Sequence, residues 1–196
     1  PFSVGARIEH PQKLIDKAQY GAFAGHPKLG AADYKLSCHG LHQRGAYTFC
    51  MCPGGTVVAA ASEKGGVIVN GMSTLARDGE NANSALLVGI DPVDFPSEHP
   101  LAGMYYQREI EQNAFALGGG DYRAPAQLVG DFLADRESRA LGNVQPTCPT
   151  GVTLTNLRYC LPDKVRTTMQ AAITEMDKRL HGFALPDAVL TAPETR

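Results

Sequence analysis

The sequence lacks several features that would point directly to a function. No apolar run approaches the roughly 20 residues that a membrane helix needs, and the first residues lack the basic start and long apolar stretch of a signal peptide. The formal net charge is −2, and no basic patch of the kind that binds nucleic acid or anionic membranes is evident. We therefore expect neither a nucleic-acid partner nor a membrane partner.

Phosphate-binding glycine motifs are also missing. Neither the dinucleotide fingerprint G-x-G-x-x-G after a strand nor the Walker A pattern occurs. The run Gly118-Gly119-Gly120 precedes Asp121 rather than a helix with open N–H groups, which favours a helix stop over a phosphate cradle. The chain is therefore predicted to hold no complete cofactor-binding or catalytic site of its own.

The chain of 196 residues has few cysteines, and their number is odd. The five are Cys38, Cys50, Cys52, Cys148 and Cys160. A secreted disulfide scaffold is usually smaller and denser in cysteine, so a reduced, cytoplasmic location is predicted. Cys38 and His39 could join Cys50 and Cys52 around a metal ion, but C-x-C without a second matching pair is not a zinc spacing. We expect no metal site.

The residues that are present predict an α+β fold. Apolar residues make up 43% of the chain, enough for a real core. Strands are predicted at residues 2–9, 46–52, 56–62, 67–70 and 84–90, with a short helix after His10-Pro11 that ends at Gly21. The Pro53-Gly54-Gly55 turn predicts a tight hairpin between the second and third of these strands, and residues 63–66 predict a second turn.

Helical patterns dominate the second half. Residues 100–117 and 162–180 carry apolar stripes at helical spacing, and each is followed by glycine. A shorter apolar element is expected at residues 127–133 and a loop at 135–150. Strands first and helices later favour α+β over a doubly wound fold, with a β-rich part at 1–96 and a mainly helical part at 97–196.

Two local segments are candidates for chemistry. In the first, Cys50 and Cys52 would share one face of a strand, as a reactive thiol pair or beside glycines that let a planar ligand approach. The alternative is two small buried hydrophobes before a tight turn. The second candidate is the polar stretch 71–83, whose Arg77, Asp78, Asn81 and Asn83 can bind a polar ligand or simply form a solvated loop tip.

Arg7, Glu9 and His10 end the first predicted strand. A general acid–base histidine is conceivable there, but a surface charge cluster before a helix is the favoured interpretation.

Several longer runs resemble a known family. They are PFSVGARIEHPQKLIDKAQYG, YTFCMCPGGTVVAAASE, NGMSTLARDGENANSALLV, HPLAGMYYQREIEQNAF, LGGGDYRAPAQLVGDFL and PDAVLTAPETR. Together they closely resemble the middle portion of the uncharacterised FAD-dependent dehydrogenases, also labelled NAD(FAD)-utilising dehydrogenases. The resemblance implies a segment inserted between the two halves of a Rossmann-type FAD domain, with FAD bound in the full-length protein and NAD(P) as a further candidate cofactor.

The resemblance also implies roles for the two candidate segments. Catalytic roles would fall to Cys50, Cys52 and Arg77, whereas Pro53, Gly54, Gly55, Asp78, Asn81 and Asn83 would face the flavin or a small-molecule substrate. The strand-like runs at both ends are then expected to connect to the rest of the same polypeptide. The alternative is a non-catalytic scaffold or interaction module whose thiols are structural.

Overall fold

The computed structural model describes residues 2–196 and has an α+β fold, as predicted from the sequence. The strands are β1 (Phe2–Pro11), β2 (Ser37–Leu41), β3 (Arg44–Cys52), β4 (Gly55–Ala59), β5 (Val69–Ser73), β6 (Asn81–Ile90), β7 (Ala124–Leu128), β8 (Val152–Leu154) and β9 (Val189–Thr195). The α-helices are α1 (Gln12–Tyr20), α2 (Ala102–Gly118), α3 (Val129–Leu133) and α4 (Asp163–Asp177). No helix within residues 2–196 is long and apolar enough to cross a bilayer.

Seven strands form one mixed sheet in the order β2-β3-β6-β1-β9-β7-β8. β1 pairs with β6 along its whole length, from Phe2 opposite Ile90 to Pro11 opposite Asn81. Its other edge pairs with β9, and backbone hydrogen bonds join Ser3 and Arg196 in both directions at 2.8 Å. The first and last strands of the chain therefore lie side by side in the middle of the sheet.

Helix α4 covers one face of this sheet. Its apolar stripe, which includes Val165, Met169 and Ile173, is fully buried in the main core together with Ile8 and Leu86 of the central strands. The predicted stripe is thus confirmed, although the helix ends at Asp177. The Asp177 carboxylate accepts the N–H groups of residues 182 and 184, so the chain turns away before the predicted end.

The second, two-stranded sheet of β4 and β5 packs on the opposite face. Val57 and Val69 point into the core, and a side chain at Gly71 would collide with the Arg7 guanidinium at 1.9 Å. The absence of a side chain at Gly71 therefore leaves room for the Arg7 guanidinium, which belongs to a layer of buried polar side chains between the two sheets.

The predicted hairpin between residues 46–52 and 56–62 is wrong. β3 pairs with β2 and β6, whereas β4 pairs with β5, so the Pro53-Gly54 turn carries the chain from one sheet to the other. The second predicted turn is confirmed, because β4 and β5 are antiparallel neighbours joined through residues 60–68. β2 was not predicted.

The polar stretch 71–83 is shorter as a loop than predicted. Its ends belong to β5 and β6, and only residues 74–80 connect the two strands. The second half adds β7, β8 and β9 to the same sheet as the first half, alongside its three helices.

Candidate functional site

The structure brings the two predicted segments together. The Gly79 N–H donates to the Gly54 carbonyl at 3.1 Å, and the Ser73 hydroxyl donates to the Pro53 carbonyl at 2.8 Å. The turn after Cys52 and the 74–80 loop thus form one unit, although they are separated by two strands in the sequence.

Gly54 makes this contact possible. Its φ is +49°, and a Cβ atom there would lie 2.0 Å from the Arg77 carbonyl oxygen. Its N–H donates to the side-chain oxygen of Gln12 at 2.7 Å. Pro53, Gly54 and Gly55 are all buried, so the conformational freedom of the glycines serves contact with the protein's own chain.

The two thiols of this segment differ in exposure, although the Cys52 thiol lies beside Cys50 and donates to its carbonyl at 3.2 Å. The pairing register of β3 with β6 shifts between Phe49 and Cys52, and Cys50 has a left-handed φ of +46°. Strand alternation fails across such a bulge. Cys50 is exposed, whereas Cys52 is buried and both are free thiols. Burial raises the pKa of Cys52 to about 11, which keeps it protonated at neutral pH.

Arg7 lies beneath the bulge and is fully buried. It donates to the carbonyls of Phe49 at 3.2 Å and Cys50 at 2.9 Å. Its Nε lies 3.0 Å from a Glu194 carboxylate oxygen, in the arrangement of an ion pair rather than a directed hydrogen bond. Arg7 therefore holds the backbone that presents Cys50, a role that the sequence did not reveal.

Glu194 also joins Arg7 to Arg196 at the surface. Arg196 lies 2.8 Å from the other Glu194 oxygen, donates to Asn70 at 2.9 Å and sits 4.9 Å above the Phe49 ring. A chain of ion pairs from Arg7 through Glu194 to Arg196 thus runs from the interior between the sheets to the exposed end of β3.

Glu9 and His10 are buried as well, so the predicted surface charge cluster is wrong. Glu9 accepts from the Thr147 hydroxyl at 2.6 Å and from the Asn81 amide at 3.2 Å, and burial raises its pKa. The His10 Nε2 lies 2.8 Å from the Phe183 carbonyl, and burial lowers its pKa to about 4. His10 is fully buried, and its lowered pKa leaves it neutral at pH 7.

The two asparagines of the candidate stretch point inward. The Asn81 amide also donates to the Gln145 carbonyl at 2.8 Å and so ties a loop to the sheet. Asn83 pairs with Glu9 on one side and Cys52 on the other, and neither of its amide atoms finds a hydrogen-bond partner among residues 2–196.

An open cleft of about 600 Å³ adjoins the 74–80 loop. Arg77, Asp78 and Asn81 line it, together with the first turn of α1 and the exposed loop of residues 25–31. Lys13 and Arg77 bring positive charge, and Asp78 and Glu80 bring negative charge. The cleft suits a small polar ligand, whereas Cys50 and Cys52 lie outside its lining.

The junction of β1 and α1 does not form a phosphate site for FAD. β1 runs straight into α1 without an intervening glycine turn, and the Gln12 N–H at the helix start already donates to the Glu80 carbonyl at 2.8 Å. A dinucleotide phosphate needs such N–H groups free. Within residues 2–196, no group of three or more His, Cys, Asp or Glu side chains is placed to hold a metal ion.

Comparison with known proteins identifies the class of this domain. The family model described as "FAD-dependent protein, C-terminal domain-like" matches residues 1–196, and the chain belongs to this family. It is also 54% identical over 196 residues to an uncharacterized protein of Clostridium beijerinckii. The match covers the whole chain but 37% of that protein, so the chain spans little more than a third of its relative's length.

Proposed function

We propose that this chain is the substrate-side insert domain of an FAD-dependent oxidoreductase, a dehydrogenase, and is inactive alone. In this proposal it covers the flavin and completes the substrate pocket. The observation that carries the proposal is the open polar cleft beside Arg77, in a domain of an FAD-dependent family. Ligand pockets of this kind often lie between domains.

The pairing of β1 with β9 supports the insert position. Ser3 and Arg196 are hydrogen-bonded neighbours, so a host domain can connect to both strands at one place. Closely spaced connections are what domain insertion requires. The family description speaks of a C-terminal domain, whereas the insert position remains our proposal.

Within this proposal, Arg77 supplies positive charge to a substrate or to reduced flavin. Asp78 shares the cleft with it, and exposed Cys50 faces the flavin side while buried Cys52 supports it. Pro53, Gly54, Gly55, Asn81 and Asn83 hold these groups in place from the interior. A cytoplasmic location and NAD(P)H as electron donor belong to the same proposal.

The test is made on the full-length protein. Gentle purification is expected to give a yellow protein with flavin absorbance, whose flavin is bleached by a reduced nicotinamide or another donor. A full-length protein without flavin absorbance, which takes up no FAD on reconstitution, would contradict the proposal.

A second function, a non-catalytic scaffold with structural thiols, is favoured by one observation. Cys52, one of the two candidate thiols, is buried. If the domain is such a scaffold, flavin reduction kinetics stay unchanged in the variants Arg77→Ala, Cys50→Ala and Cys52→Ala. Our proposal expects Arg77→Ala to slow reduction without unfolding, with exposed Arg139→Ala as the matched control.

A further inference from the structure

An exposed apolar face lies at the end of β3. We define the docking face as Phe49, Cys50, Met72 and Leu75. The side chains of Phe49, Met72 and Leu75 are 44%, 62% and 102% exposed, and Cys50 is exposed beside them. Large apolar side chains that cluster on a surface usually mark an interaction site.

Hydrogen bonds bring the two segments of the docking face together. Arg7 donates to the Cys50 carbonyl at 2.9 Å and to Asn70 of β5 at 3.4 Å. Three residues further along each segment, the Ser73 hydroxyl donates to the Pro53 carbonyl. The end of β3 therefore runs alongside β5, which brings residues 49–52 close to residues 70–73. Leu75 follows in the loop that rests on Gly54.

The docking face is also fixed from behind. The buried Arg7 and Glu194 pair anchors the Cys50 bulge, and Arg196 covers one side of the Phe49 ring. Phe23, another exposed apolar side chain, lies instead on a short 3-10 turn of residues Gly21–Phe23. A preorganised face loses little conformational entropy when it binds.

We infer that the docking face binds the flavin-binding remainder of the same polypeptide. The chain covers 37% of a relative that it matches from end to end, so the larger part of such a protein is available to cover this face. An apolar partner surface with acidic or carbonyl groups toward Arg196 and Arg77 fits its chemistry. This inference rests on the proposed function, because it names where the domain meets the flavin domain.

Cys50 provides a built-in probe, since it is the exposed cysteine among the five. In the native full-length protein, we expect iodoacetamide to label Cys50 at least about 100-fold more slowly than a Thr174→Cys thiol on the exposed side of α4. The slow rate is expected because a covered thiol reacts only when the interface opens locally. Peptide mass spectrometry reads both sites. Equal labelling rates at both sites would overturn the inference.

A charged double variant tests the face itself. Met72→Lys with Leu75→Lys is tolerated by the domain, since both side chains are exposed, and is expected to restore Cys50 labelling. Val93→Lys, at an 81% exposed site, is the control and should leave Cys50 protected. Protection that disappears on dilution would instead indicate a second copy of the chain and overturn the assignment.

Flavin measurements on the same samples separate the two proposals. Protected Cys50 in a protein that neither contains nor takes up flavin contradicts the proposed function and leaves the docking face supported. Bound flavin with freely labelled Cys50 contradicts the docking face alone. Protection that vanishes when flavin is stripped from a folded protein would show that flavin, not protein, covers Cys50, and would also overturn the inference.

Discussion

At the scale of single residues, the buried charges between the two sheets define this domain. Arg7 and Glu194 are 0% and 1% exposed, and such charges are tolerated only when paired and hydrogen-bonded. Sequence reasoning placed Arg7, Glu9 and His10 at the surface because charged residues usually lie there. It failed because β1 is a central strand with both faces covered, which the residue types do not indicate.

Arg7→Met is expected to destabilise the protein by about 3 kcal/mol, because it leaves Glu194 and the Cys50 carbonyl short of a buried partner. Urea unfolding measures the loss. Arg139→Met is the matched control, since its pair with Glu137 is 87% and 52% exposed and should contribute under about 1 kcal/mol. Similar losses for both variants would show that the Arg7 pair is energetically unimportant.

His10 should make stability depend on pH. Its pKa falls from 6.5 to about 4 on folding because of burial, so only the unfolded chain binds this proton between those values. The contribution of His10 to the free energy of unfolding is therefore full above pH 6.5 and falls by about 3 kcal/mol as the pH drops to about 4.

His10→Gln should flatten the stability profile between pH 6.5 and 4, as urea unfolding at a series of pH values would show. Comparison with wild type cancels the opposing effect of Glu9, whose pKa is raised. Exposed His181→Gln should leave the slope intact. An unchanged slope in His10→Gln would mean that another group titrates there.

At the scale of elements, the three longer helices were predictable, whereas α3 and the strand pairings were not. The boundaries of α1 and α2 follow from apolar periodicity and from glycines such as Gly119, which adopts a left-handed conformation after α2. The apolar stripe of α4 was also predicted, but the helix ends at Asp177, before the predicted end. The Pro53-Gly54-Gly55 turn was correctly located but assigned to the wrong strand pair. A turn signal is local, whereas the choice between hairpin and sheet crossing depends on distant partners of β3 and β4.

Gly54→Ala is expected to cost about 2–4 kcal/mol, because it adds a severe clash with the Arg77 carbonyl to the strain of a positive φ. Gly65→Ala is the matched control: Gly65 has a φ of +75° with open space around its Cβ position, so about 1 kcal/mol is expected. Chemical denaturation compares the two. If Gly54→Ala is no worse than Gly65→Ala, the contact between the turn and the 74–80 loop is dispensable.

At the scale of the whole molecule, the candidate site was only partly predictable. Both segments were recognised from unusual composition, and they do meet in space through Gly54 and Gly79. The sequence could not show that Asn83 and Cys52 face the interior while Arg77 and Asp78 line an open cleft. That division depends on the second sheet packing over the first, which is a tertiary property.

The same packing predicts that the two halves unfold together. β9, from the second half, is inserted between β1 and β7, so its removal would expose the edge of the central strand. In native-state hydrogen exchange, amides of β1, β6 and β9 are expected to share the slowest rates, whereas residues 21–30, all exposed, exchange fastest.

Leu190→Ala, at a fully buried position of β9, should lower the free energy of unfolding by about 3 kcal/mol and speed exchange equally in all three strands. Val93→Ala, at an exposed site, should change none of them. Faster exchange confined to β9 would instead mean that the part after residue 96 opens independently of the part before it.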